Sequence, residues 1–131
     1  MSLQAECEIQ RLKHEYCFAI DEGRYADWAS LFTEDGRFIR GSGEVVEGYD
    51  ELYEFGSEQF DARFETVAHV VTNPVVEMDG VEATSRWYLT FQYETTDGEV
   101  GWTQGRFEDV HRQVDGEWRI AESNVVTRIE G

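Results

Sequence analysis

From Leu3 to about Gly23 the polar residues Gln4, Glu8, Arg11, Glu15 and Glu22 recur at spacings of four, three, four and seven. That period marks one outward face of a helix, with Ile9, Leu12, Tyr16, Cys17 and Ile20 on the opposite arc. Gly23 reads as the helix stop. A short second helix runs from Tyr25 to Phe32, presenting Trp28, Leu31 and Phe32 on one side, until Thr33-Glu-Asp-Gly36 breaks it. Arg37 to Arg40 and Glu44 to Glu47 flank Gly41-Ser-Gly43 as a hairpin. Gly48 then opens a third helix, Tyr49 to about Phe60, with Leu52, Phe55 and Phe60 along one side. Everything after it alternates as strand: Phe64 to Met78, Val81 to Thr95, Glu99 to Val114 and Glu117 to Ile129, separated by Asp79-Gly80, Thr96-Asp97-Gly98 and Asp115-Gly116. Helices first and a long antiparallel meander afterwards predict an α+β domain, its helices gathered on one face of a strongly bent sheet.

Length and composition narrow this picture. The 131 residues fit a single domain over 1–131. An aromatic share of 14% provides bulky core material and argues against disorder. The 28 acidic residues outnumber the 11 basic ones for a net charge of -17, and ten of those eleven are arginines scattered among carboxylates, leaving Lys13 as the only lysine. Such a chain repels polyanions, so nucleic acid and anionic membrane surfaces are excluded as partners. The acid reads as a solvated surface. Cys7 and Cys17 fall on one helix about 15 Å apart along its axis, too far for a disulfide. With no signal segment and no apolar run of membrane-spanning length, the chain reads as cytoplasmic and soluble.

Candidate chemistry centres on Thr66-Val-Ala-His-Val-Val-Thr-Asn-Pro-Val-Val-Glu77, where one imidazole sits inside an apolar, β-branched run. Strict alternation places Val67, His69, Val71, Asn73 and Val75 on one face. A histidine on a hydrophobic face needs partners for its ring nitrogens. Asp21 is the candidate partner: on the helical wheel it lies about 115° from the centre of the outward face, at the margin of the buried arc. Asn73 precedes Pro74, and a proline inside a strand marks an edge or a bulge, so its amide is expected to satisfy backbone groups there. His14 and His111 lie among charged neighbours and read as solvated. Two donors, Asp21 and His69, fall short of a metal site, and no phosphate-binding glycine motif or cofactor fingerprint is present. No metal and no cofactor is expected.

Four local patterns, in order and at the right spacing, resemble the SnoaL-like division of the NTF2-like superfamily, which includes scytalone dehydratase and the lindane dehydrochlorinase. They are Tyr16 to Phe32 (YCFAIDEGRYADWASLF), Gly48-Tyr-Asp-Glu-Leu52, the His-x-x-x-Asn of His69 to Asn73, and Gly105-Arg-Phe-Glu-Asp109 followed by Asp115-Gly-Glu-Trp-Arg-Ile120. The resemblance implies a cone-shaped barrel of N-terminal helices on a strongly curved, mainly antiparallel sheet, with one internal pocket and dimerisation across the outer surface of the sheet. It also implies a catalytic pair, Asp21 orienting His69 as general base. Tyr16, Trp28, Arg40, Trp87, Leu89, Phe91 and Phe107 become candidate contacts to a hydrophobic small molecule. Arg86, Arg106, Tyr88 and Tyr93 reach the pocket only if strand register allows. The chain departs from the dehydratase at Ile20, Gly105 and Phe107, where that enzyme carries polar groups, and its second pocket histidine falls near Phe91.

Three readings follow. The first is a cofactor-free lyase or isomerase in which a carboxylate fixes the tautomer of a histidine base and stabilises its charged form. The second is a non-catalytic binding protein that uses the same pocket. The third is a structural partner like the β subunits of ring-hydroxylating dioxygenases. An enclosed cavity with the Asp21–His69 pair exposed to it favours the enzyme, and a filled cavity favours the structural role.

Overall fold

The computed structural model describes residues 2–131. Helix α1 spans Leu3–Asp21, and its first turn is capped by Ser2, whose Oγ accepts the Ala5 N–H at 3.1 Å. Its end is a Schellman closure. The Gly23 N–H reaches the Ile20 carbonyl (3.3 Å), the Arg24 N–H reaches the Ala19 carbonyl (2.9 Å), and Gly23 takes φ of 74°. Glycine holds that left-handed conformation without the penalty a Cβ brings. Helix α2 covers Tyr25–Ser30 and stops before Phe32, which already belongs to strand β1, Phe32–Ile39. Strand β2, Val45–Glu47, returns antiparallel to β1.

Helix α3, Tyr49–Glu54, passes into a π-helical turn at Phe55–Phe60 and a last α-helical turn, α4, at Asp61–Arg63. An uninterrupted α-helix would set Phe55 and Phe60, expected along one side, about 140° apart at 100° per residue. The wider i→i+5 turn brings them to the same side, ring centroids 6.2 Å apart. The hydroxyl of Tyr25 donates to Asp61 at 2.8 Å and ties this turn to α2.

Strands β3 (Phe64–Asp79), β4 (Glu82–Thr95), β5 (Val100–Val114) and β6 (Glu117–Glu130) form the meander. Asp115 and Gly116 turn the chain between β5 and β6 with φ of 51° and 81°, the double positive φ of a type I′ hairpin. The sheet order is β2-β1-β6-β5-β4-β3, antiparallel throughout except for the parallel β1–β6 pair. Ladder irregularities interrupt β1, β3, β5 and β6 and bend the long strands around the helices. Between the layers lies an aromatic core in which Trp28 meets Tyr16, Phe32 and Phe38 edge-on, with Leu52, Ile120 and Phe107 fully buried beside them.

Two expectations are corrected here. Alternation along β3 does not continue past Thr72: the ladder skips Asn73 and Pro74, with Asn73 at φ of 60°. One extra residue turns every later side chain over, so Val67, His69 and Val71 face inward, then Val76 and Met78, while Asn73 and Val75 face out. Asn73 therefore does not share the face of His69. The second correction is His111, which is fully buried, its Nε2 2.7 Å from Ser85 Oγ. Lys13, the only lysine, lies on the buried side of α1, its Nζ 2.9 Å from Asp109 Oδ2, both side chains 0% exposed.

Candidate functional site

The Schellman closure fixes where α1 ends and therefore where Asp21 points. Strand β3 is the free edge of the sheet, so half its backbone N–H groups have no strand partner. Asp21 supplies one. Its carboxylate accepts the backbone N–H of His69 at 2.9 Å (Oδ2) and 3.2 Å (Oδ1), and Oδ1 also lies 2.6 Å from the Nδ1 of the same residue. A carboxylate can only accept, so Nδ1 carries a proton, and in the neutral form of the ring the lone pair is on Nε2. The side chains of His69 and Asp21 are 11% and 19% exposed, so this lone pair is available to a ligand without being flooded by solvent. The Phe91 ring lies 4.5 Å from the imidazole, and Phe60 lies at 6.3 Å.

His69 faces a cavity of about 280 Å³. Its floor is Tyr16, Phe55, Leu89 and Phe107, all buried; Phe38, Phe60, Phe64, Phe91 and Val125 form the walls. Exposed Arg63, Thr127 and Glu130 mark the mouth, with half-buried Arg40, Tyr93 and Thr103 just inside. Of the residues expected at a ligand, Tyr16, Arg40, Leu89, Phe91 and Phe107 line this space with His69. Asp21 stands behind His69. Trp28 and Trp87, expected at the ligand, lie elsewhere: Trp28 is sealed among Tyr16, Phe32, Phe38 and Phe55, and Trp87 donates its indole N–H to Ser85 Oγ at 2.9 Å. Arg86, Arg106 and Tyr88 cluster with Asn73 on the far face of the sheet, whereas Tyr93 belongs to the cavity.

Several lining residues escaped the sequence reading. Phe60 reaches the cavity through the π-helical turn. Val125 and Thr127 face inward because β6 carries one extra residue opposite Val110 and His111, and another near Arg128 turns Glu130 toward the mouth beside its partner Thr103. Simple alternation carries no signal for such insertions. Arg63 was available to inspection as the one basic residue at the end of the third helix.

Behind the floor sits a buried polar cluster. Lys13 Nζ lies 3.8 Å from the ring centre of Tyr16 and 3.3 Å from that of Phe107, and it donates to Ser123 Oγ at 3.3 Å. Burial lowers the Lys13 pKa below the usual lysine value, while Asp109 opposes that shift. Burial likewise brings His111 down to about 4, so this imidazole is neutral at ordinary pH. The Tyr16 hydroxyl is held well above its usual range by burial and then by the Asp109 charge. Cys17 is pushed up to about 12 by burial, which leaves a thiol and not a thiolate nucleophile. Among the described residues no three His, Cys, Asp or Glu side chains converge as metal ligands, and no helix is long and apolar enough to cross a membrane.

The sequence matches the SnoaL-like domain family over residues 1–124. The chain belongs to that family. Similar solved structures share its NTF2-like fold. A protein of unknown function from Mycobacterium tuberculosis is 29% identical, with a TM-score of 0.85 covering 97% of this chain and 78% of the other. A proposed scytalone dehydratase from Novosphingobium aromaticivorans is 21% identical, with a TM-score of 0.90 over 98% of this chain and 87% of the other. A hexachlorocyclohexane dehydrochlorinase is 13% identical, with a TM-score of 0.93 over 98% and 88%. No protein of curated function matches the sequence.

Proposed function

We propose that this SnoaL-like protein is a cofactor-independent lyase or isomerase that removes a proton from a hydrophobic small molecule, with His69 Nε2 as the base and Asp21 orienting it. The observation that carries this reading is the Asp21–His69 pair itself, bonded at 2.6 Å and opening into an apolar cavity. A C–H of the ligand placed against Nε2 passes its proton to the ring. The imidazolium so formed is stabilised by the carboxylate already bonded to Nδ1. In an elimination the electron pair of the C–H bond then expels a leaving group as its anion; in an isomerisation the imidazolium returns the proton to another carbon. Polar groups along the cavity that can receive developing negative charge are the Tyr93, Thr103 and Thr127 hydroxyls and Arg40. The likeness to a dehydratase and a dehydrochlorinase supports proton abstraction as the reaction class.

A second reading, a binding protein that holds its ligand without turnover, is favoured by one observation: Phe107 on the floor and Gly105 two residues before it carry no polar side-chain atom. The open cavity of about 280 Å³ supports either reading over a purely structural subunit. One experiment separates them. A carbon acid such as a cyclic ketone is incubated with the protein in deuterated water, and exchange is followed by NMR. His69→Ala should abolish catalysed exchange and Asp21→Asn should slow it by about two to four orders of magnitude, the range of positioned acid–base groups. Binding should survive both changes, since apolar walls supply most of the affinity. Equal exchange in all three proteins refutes the enzyme and leaves the binding protein.

We further infer that residues 1–131 act as one domain and that two copies associate across the outer face of the sheet. Val70 and Val75 of β3 and Tyr88 of β4 are exposed on that face.

A further inference from the structure

The cavity is apolar in its depth, yet its mouth is basic in a protein of net charge -17. Six of the ten arginines, Arg24, Arg37, Arg40, Arg106, Arg112 and Arg119, pair with carboxylates. Arg63 forms no ion pair among the described residues, although the chain has 28 acidic side chains to offer. Its guanidinium lies instead over the Phe64 ring, 5.1 Å from the centre, at the edge of the cavity. The backbone beneath it is fixed: the Thr96 N–H donates to the Arg63 carbonyl at 3.0 Å, and the Thr96 hydroxyl donates to the Ala62 carbonyl at 3.2 Å. The neighbouring carboxylate, Asp61, is engaged by the Tyr25 hydroxyl. Across the mouth, Arg40 packs its guanidinium 5.0 Å from the ring centre of Phe55 and bonds Glu44 at 2.6 Å. Glu130, exposed beside Thr103, is the acidic group lining the same opening.

An arginine stacked on a wall aromatic presents its N–H edge toward whatever enters, and that planar edge matches a carboxylate in two-point fashion. At about 280 Å³ the space below holds only a small ring system. We propose that the ligand of this site is a small aromatic carboxylate, its ring in the Phe60–Phe64–Phe91 cavity beside His69 and its carboxylate received by Arg63 with Arg40. Glu44 competes with the ligand for Arg40, and Glu130 at the mouth opposes an entering anion by like-charge repulsion. This specifies the ligand class of the site described above and rests on that site being the ligand site. It does not require turnover.

The test uses 2-naphthoate and its uncharged isostere 2-naphthamide, titrated calorimetrically against the full chain. Wild type should prefer the carboxylate. Arg63→Gln, a change at an exposed position, should weaken naphthoate by roughly 5- to 30-fold, the factor expected for one or two charge-assisted hydrogen bonds, and leave naphthamide unchanged. Arg40→Gln should act in the same direction, and Glu130→Gln should tighten naphthoate alone. Naphthamide bound as tightly as naphthoate by the wild type, a preference that survives both arginine substitutions, or no binding of either compound at millimolar concentration would overturn the proposal. Loss of proton exchange in His69→Ala bears on the reaction and not on this preference, so the two readings fail separately.

Discussion

Replacing Asp109 by Asn gives the sharpest test of how the cavity floor is held. The Asp109 carboxylate and the Lys13 ammonium are both completely withdrawn from solvent, 2.9 Å apart, but the contact is poorly directed for a hydrogen bond and Asp109 Oδ1 has no partner. Coulomb attraction is thus what offsets the desolvation of the two charges. Neutralising Asp109 leaves the Lys13 ammonium against two aromatic faces and the Ser123 hydroxyl, a breakage that costs about 3–5 kcal/mol. For 131 residues the unfolding entropy is about 0.28 kcal/mol/K, so the melting temperature should fall by about 11–18 °C. Substituting both partners, Lys13→Met with Asp109→Leu, removes both desolvation costs and should restore wild-type stability or exceed it by about 1–4 kcal/mol. Differential scanning calorimetry of wild type, Lys13→Met, Asp109→Leu and the double variant closes the cycle, with Asp109→Asn measured beside them. A loss below about 1 kcal/mol for Asp109→Asn, or a double variant no more stable than the single ones, refutes the argument that an uncompensated charge is what destabilises.

A titration prediction follows from His111. Its folded pKa, about 4, lies below the 6.5 of an unperturbed imidazole because burial opposes the charge, so the unfolded chain binds a proton that the folded one refuses. The associated stability is present above pH 6.5 and lost as pH falls toward 4; it amounts to about 3 kcal/mol and should be missing from His111→Asn in urea unfolding at the two extremes. An identical pH slope in both proteins would count against it. For association through the outer face of the sheet, sedimentation at micromolar concentration and moderate salt should give a dimer, and a change of Val70 and Val75 to Lys should give a monomer. A monomeric wild type contradicts the interface.

The periodicities of α1 and of the four long strands, together with the Asp-Gly turns, were legible in the sequence because they are local. A helix face repeats every few residues, and a tight turn needs particular residues at its bend. The pairing of Asp21 with His69 was legible because a polar residue on an apolar face requires a partner, the helical wheel leaves Asp21 at the margin of the buried arc, and the resemblance to the SnoaL-like family pairs these two positions. What only the tertiary structure decided is which face each side chain takes after an insertion. Single extra residues in β3 and β6 send Asn73 outward and turn Glu130 to the cavity mouth, and a π-helical turn brings Phe60 in, none of which follows from counting by twos or by 3.6. The burial of Lys13 and His111 was likewise invisible, because residue type alone reads as surface. Whether a polar or charged group can be buried depends on the partner that folding delivers: Asp109 reaches Lys13 only when β5 closes over α1, and Ser85 reaches His111 only when β4 and β5 pair.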